Sequence, residues 1–279
     1  MKSIIIKYTA IIWSVALLFA NFVACGSQMY QVSVKEDYDA RRVKQANPEV
    51  DDPESSVYGI HATSGWVKIP IVYRFGEHLN DDQRKHLHAA MNIWQTAVGK
   101  KLFTIDADSE IHKGTNGDSF DDLYSSLDDD INGHYLDGNW RKTKKPDHVL
   151  ATTIWHTSET DSTITKADIR FNEESYIIGD SLVEEATDDK EVVDMQSLAL
   201  HELGHLLGLA HVDPEVDDLS IMNPTLYIGE GLTSRVLSRG DVERIQTIYG
   251  CEGDACDMKQ VMKTLQSPKG QLLTDPAAH

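Results

Sequence analysis

The chain is poor in cysteine and in positive charge, and it holds only one long apolar run. Each shortage excludes something. Three Cys in 279 residues cannot build a disulfide scaffold. A chain of this length also needs none, because it can bury a sizeable apolar core. With 26 Lys+Arg against 45 Asp+Glu, the formal net charge is −19. Nucleic-acid phosphates would be repelled, and their usual partner, a cluster of Lys and Arg, is outweighed. A single apolar run excludes a multi-span membrane protein, and the lack of a fixed repeat excludes collagen and coiled coil. Hydrophobic residues at 41 % and charged residues at 25 % are ordinary for a globular protein. The length allows one large domain or two small ones.

The one apolar run opens the chain. Lys2 and Lys7 precede and enter it, and residues 8–24 are mostly apolar. That pattern predicts an export signal over 1–24. The other reading, a membrane anchor, needs a slightly longer run and a basic flank after it. Phe22-Val23-Ala24-Cys25-Gly26-Ser27 resembles a bacterial lipobox, although Phe22 stands where Leu is usual. The resemblance implies a lipid on Cys25, each buried methylene adding roughly 0.8 kcal/mol to membrane attachment. Gly26, rather than Asp, points to the outer membrane of a bacterial cell envelope. Ordinary cleavage near Ala24 would instead give a soluble secreted protein. Residues 25–60 are polar and acidic and are expected to be a tether. An exported compartment is oxidising, so Cys251 and Cys256 are expected to form a local disulfide in a tail over 251–279.

Between tether and tail, residues 61–250 read as one domain. Residues 67–75, rich in β-branched and aromatic side chains, predict a strand. Asn80 or Asp81 can cap a helix running to about Val98. Its Leu87, Ala90, Met91, Trp94 and Val98 recur at three- and four-residue spacing, one apolar face. Further strands are expected over 102–105, 149–155 and 167–172, and a helix from about Val192. Residues 106–146 read poorly. Asp118, Asp121, Asp122, Asp128, Asp129, Asp130 and Asp137 crowd there before a basic cluster from Arg141 to Lys145. Carboxylate oxygens suit Ca²⁺, but the ordered spacing of a calcium loop is absent, which favours a solvated loop.

The chemistry is concentrated in His201-Glu202-Leu203-Gly204-His205-Leu206-Leu207-Gly208-Leu209-Ala210-His211. On a helix, His201 and His205 lie about 40° apart on one face, so two imidazoles can hold one Zn²⁺. Glu202 would sit beside the metal and take a proton from a water held there. His211 lies six residues past His205. A continued helix would turn it roughly 240° away. The chain must therefore break and turn back, and Gly208 is placed for that because glycine accepts the left-handed conformation. Three nitrogen ligands leave zinc one open position, which suits a catalytic site. The bare His-Glu-x-x-His is weak evidence; the added glycine and third histidine carry the specificity.

His-Glu-x-x-His-x-x-Gly-x-x-His resembles the metzincin zinc signature. The flanks are similar to the matrixin branch, the matrix-metalloprotease-like peptidases. Ser197-Leu198-Ala199-Leu200 leads in, Ser220-Ile221-Met222-Asn223-Pro224 resembles the Met-turn, and residues 241–250 look like the final matrixin helix. In that resemblance Met222 lies beneath the zinc, and Pro224 stands where another branch has a zinc-associated Tyr. It implies an α+β, zincin-like catalytic domain. The expected parts are a twisted, mostly parallel sheet with an antiparallel edge strand, three main helices, and a zinc cleft between two subdomains. It also implies that extended substrate lies antiparallel to an edge strand over 167–171. No cysteine is available for a thiolate switch, since Cys25 is the only one upstream. His148 and His156 read as strand-end histidines, and His86 and His88 as exposed helix positions.

The implied function is a zinc endopeptidase acting on protein or peptide substrates, with a monomer expected by default. A cell-wall stem-peptide peptidase and a non-catalytic surface binding protein are the alternatives. No wall-binding repeat supports the first, and the intact ligands and Glu202 argue against the second.

Overall fold

The computed structural model describes residues 30–33, 63–76, 79–106, 132–143, 145–158 and 160–266. Cys25 and the acidic residues from Asp118 to Asp130 lie outside these, as do the calls on residues 1–24 and most of the tether. The chain divides into two units, Met1–Tyr30 and Gln31–His279. After a short strand at Tyr30–Ser33 (β1), every element below belongs to the second.

Pro70 sets the start of the main sheet. It has no N–H to give a ladder, so the strand begins one residue later, at Ile71–Phe75 (β2), rather than at 67. A helix follows over Asp81–Val98 (α1). Asn80 caps it, accepting a hydrogen bond from Gln83 N–H while the Gln83 side chain accepts from Asn80 N–H. Gly99 ends it in the left-handed conformation at φ 70°. The apolar face Leu87, Ala90, Met91, Trp94 and Val98 is buried. Burial of Leu87, Met91 and Val98 contributes about 1.5–3 kcal/mol each. His86 is a correction: it is buried, with Nδ1 3.3 Å from Gln196 Oε1. The face is broader than the five-residue stripe because Gln83 and His86 also turn inward.

Four more strands complete a five-stranded sheet: Phe103–Ile105 (β3), Gly133–Leu136 (β4), Ala151–Thr157 (β5) and Ile164–Phe171 (β6). The order is β3-β2-β4-β6-β5. All neighbours run parallel except β5, which is antiparallel to β6. This overturns the expected edge strand at 167–171. β6 is flanked on both sides, and its last five residues are buried, the mark of an interior strand. The antiparallel edge is β5. β4 was not foreseen, since four residues between Asn132 and Asp137 give no periodic signal. Asn132 holds it in place: its side chain donates to Val72 O and accepts from Ala167 N–H.

Ile177–Gly179 (β7) pairs in parallel with Val192–Asp194 (β8). The helix expected from Val192 therefore starts three residues later, at Met195–Leu206 (α2). Asp194 caps it, accepting from Ser197 N–H at 2.9 Å and Ser197 Oγ–H at 2.6 Å. Every residue of α2 is buried, so it is the central helix, packed on α1 and β5. The Trp94 indole N–H donates to Leu200 O across the α1–α2 contact at 2.9 Å. Thr225–Ile228 (β9) and Arg239–Tyr249 (α3) follow. A further helix, Met258–Leu265 (α4), occupies the stretch taken for a tail. The Cys251–Cys256 disulfide lies just before it. The architecture is α+β with a mostly parallel sheet, as the motif resemblance implied.

Candidate metal centre

α2 delivers His201, Glu202 and His205 on consecutive turns. It ends at Leu206, and Gly208 takes φ 104°, a conformation that L side chains rarely adopt. There is no room for a side chain there either: a Cβ on Gly208 would meet Thr63 Oγ1 at 2.7 Å and Gly65 Cα at 3.2 Å. The break turns the chain back and brings His211 to the other two histidines. One ligand atom from each of His201, His205 and His211 can be chosen so that all three lie within 4.8 Å of one another. Among the described residues this is the one such group.

The ring nitrogens are oriented from behind. His201 Nδ1 lies 2.7 Å from Ile221 O, and His205 Nδ1 lies 2.8 Å from Leu209 O. A carbonyl only accepts, so both Nδ1 atoms carry the proton and both Nε2 atoms present a lone pair. Those two Nε2 atoms are 3.0 Å apart. Two lone pairs facing each other repel unless a cation sits between them. His211 Nε2 is buried and has no hydrogen-bond partner among the described residues. Burial lowers the pKa of His201 to about 4 and of His211 to about 3, and it moves His205 well below the usual value. All three are neutral near pH 7, the form that ligates metal. The donor set fits zinc, whose catalytic sites use three imidazoles and leave a position open.

Glu202 is fully buried beside them. Burial raises its pKa to about 7, against the hydrogen bond from Thr153 and the charge of Lys145, which both lower it. Thr153 Oγ–H donates to Glu202 Oε2 at 2.6 Å, and Oε1 has no partner among the described residues. Such a carboxylate changes protonation near neutral pH, as a general base must.

Beneath the histidines lies Met222, with no exposed surface. Val212 N–H donates to Met222 O at 2.9 Å, closing the loop that follows His211. Asp241 of α3 fixes the same loop, accepting from Ser220 Oγ–H at 2.5 Å and Ile221 N–H at 2.9 Å. Buried Arg244 donates to Asp241 at 2.8 Å and to Asp217 at 2.9 Å. Pro224 is half-buried directly before β9. His148, His156 and His88 stand apart from the triad, and Asp137 is ion-paired with Arg170 in the core.

Several supports were missed from the sequence. Tyr249 Oη–H donates to Leu207 O at 2.8 Å and accepts from Trp66 N–H at 3.1 Å. The Trp66 indole N–H donates to Leu206 O at 2.7 Å. These two aromatic residues clamp the turn that redirects the chain to His211. They are 183 positions apart, so only tertiary structure relates them. Thr153 is likewise a single polar residue with no local pattern, and nothing in the basic cluster ending at Lys145 or in the final helix singles out Lys145 or Arg244 for the site.

A family model described as Matrixin matches residues 66–250. The chain belongs to the matrixin family. The matched model is that of a peptidase family. Two curated proteins of Arabidopsis thaliana are similar over a short stretch. Metalloendoproteinase 2-MMP is 48 % identical over 58 residues, 21 % of this chain and 14 % of its own length. Metalloendoproteinase 5-MMP is 46 % identical over 59 residues, 21 % of this chain and 15 % of its own. The aligned stretch thus spans about one seventh of either relative.

Proposed function

We propose that this matrixin is a zinc-dependent endopeptidase with His201, His205 and His211 as ligands and Glu202 as general base. The observation that carries the reading is the convergence of three neutral imidazoles, two of them oriented by backbone carbonyls, beside a buried carboxylate with one oxygen unpartnered among the described residues. A zinc ion held there supplies a Lewis acid for a carbonyl oxygen and for a water molecule. The chain's residues do the rest. Glu202 Oε1 takes a proton from the attacking water as oxygen adds to the scissile carbonyl carbon. Glu202 then passes the proton to the amide nitrogen as the C–N bond breaks. The Nδ1 bonds to Ile221 and Leu209 keep two ligand rings from rotating. Extended substrate would add to the outer edge of β5, taking backbone hydrogen bonds there. Residues after Met222, including β9, would wall a side-chain pocket.

Export with a lipid on Cys25 belongs to the same proposal and rests on residues 2–27 alone. Radiolabelled palmitate incorporated by the wild type and not by Cys25→Ser supports it; equal labelling rejects it.

The main test incubates the wild type and Glu202→Ala with a mixed peptide library and maps cuts by mass spectrometry. Cuts from the wild type alone, with equal zinc in both proteins, are expected. Equal cutting by both would reject Glu202 as the base, and no cutting by either would reject the peptidase reading on these substrates.

A further inference from the structure

β5 does two things at once. Its outer edge is the end of the sheet, and its inner face packs on α2. Along a strand, side chains alternate, so Ala151, Thr153 and Trp155 share a face. Ala151 and Trp155 belong to the apolar core. Thr153 is the polar residue between them, 6 % exposed. A hydroxyl in such a place is costly unless it is hydrogen-bonded. Its oxygen lies 2.6 Å from Glu202 Oε2 and 3.2 Å from the Glu202 backbone oxygen. It has one proton to give, and the shorter contact takes it. A separation of 2.6 Å is that of a hydroxyl bonded to an ionised carboxylate.

The consequence concerns geometry. A glutamate side chain has three rotatable bonds, and a carboxylate has two equivalent oxygens. Fixing Oε2 removes both freedoms. Oε1 is left as the oxygen with no partner among the described residues, although it is fully buried. We propose that Thr153 is the positioning residue of the general base: its hydroxyl anchors Glu202 Oε2 so that Oε1 alone faces the reacting water. The hydroxyl also ties the base to the strand along which substrate would lie. Thr153↔Ile169 pairing fixes that strand in the sheet, so base and peptide share one frame. This inference rests on the peptidase reading and assigns a residue outside the zinc motif.

The test uses the full chain with zinc bound and compares wild type, Thr153→Val, Thr153→Ser and Glu202→Gln on a peptide cleaved by the wild type. Thr153→Val keeps the shape and removes the donor. It is expected to lower kcat about tenfold to hundredfold, part of what a general base contributes. KM should change less than about twofold, because the residue does not touch substrate. Thr153→Ser keeps the donor and is expected to restore kcat to within about threefold of wild type. Zinc content, measured by atomic emission, should stay at the wild-type level in all four. Wild-type kcat in Thr153→Val would overturn the proposal. So would equal loss in Val and Ser variants, or a loss that follows zinc content, since each marks a packing role. Cleavage by Glu202→Gln at the wild-type rate would instead overturn Glu202 as the base, a failure of the underlying reading.

Discussion

Gly204 and Met222 occupy adjoining space under the histidines. A Cβ on Gly204 would stand 2.3 Å from Met222 Sδ and 3.1 Å from Trp94 Cζ2. The absence of a side chain at 204 is what lets the methionine lie against α2 between the two ligand turns.

Gly204→Ala sets two effects against each other. Alanine favours helix over glycine by about 1 kcal/mol. Met222 is fully buried, however, and its sulfur must shift to admit the methyl, next to Ile221, whose carbonyl orients His201. Overpacking of this kind costs about 1–3 kcal/mol. The expected result is a lower melting temperature and weaker zinc retention. A Gly204→Ala, Met222→Ala double variant should recover part of the zinc retention, read by competition with a chromophoric chelator.

Asp241→Ala removes the acceptor for Ser220 and Ile221 and strips the buried Arg244 of one of its two carboxylate partners. Breaking a buried pair costs about 3–5 kcal/mol. The variant should unfold at markedly lower denaturant. A midpoint unchanged from wild type would mean that Asp217 alone holds the arginine.

Metal removal tests the donor set directly. Stripping with a chelator should lower the melting temperature, and Zn²⁺ should restore it, because an ion that binds only the folded chain stabilises it. His205→Ala should show a low melting temperature with and without Zn²⁺. One zinc per chain retained by that variant would contradict the ligand assignment.

His134 gives the pH dependence. It is fully buried among Tyr73, Phe75 and Phe171, with neither ring nitrogen hydrogen-bonded among the described residues, and burial lowers its pKa to about 3. An unfolded histidine takes a proton near pH 6.5. Between about 6.5 and 3 the unfolded state therefore binds a proton that the folded state refuses. Stability from this residue is intact above about 6.5 and falls as pH falls towards 3. His134→Phe should move the acid-unfolding midpoint of the metal-free protein to lower pH, followed by circular dichroism. An unmoved midpoint would assign the acid limb to other groups.

The most legible parts of the sequence were local in character. α1 declares itself through Asn80, its apolar stripe and Gly99, because a helix on the rim of the core has one wet face. The break at Gly208 follows from spacing alone, since only a turn can bring His211 back. α2 is different: all its residues are buried, so periodicity carries nothing, and the histidines alone mark it. β4 is four residues long and held by Asn132. The exchange of edge between β5 and β6 could not be seen, because strand order is a property of the sheet and both strands mix apolar with polar residues. The polar partners Thr153 and Arg244 become visible only when distant elements meet.

Trp66 and Tyr249 stand almost at the two ends of the family match, and both fasten the turn after His205. The signature sequence is therefore not portable. A fragment that begins beyond Trp66, or stops short of Tyr249, would keep His201, His205 and His211 and still leave the third without its bearing. What shapes the turn reaches at least to these two hydrogen-bonding aromatics, far beyond the length of the motif. Grafting the motif into another helix would transplant the letters and lose the brace that gives them shape.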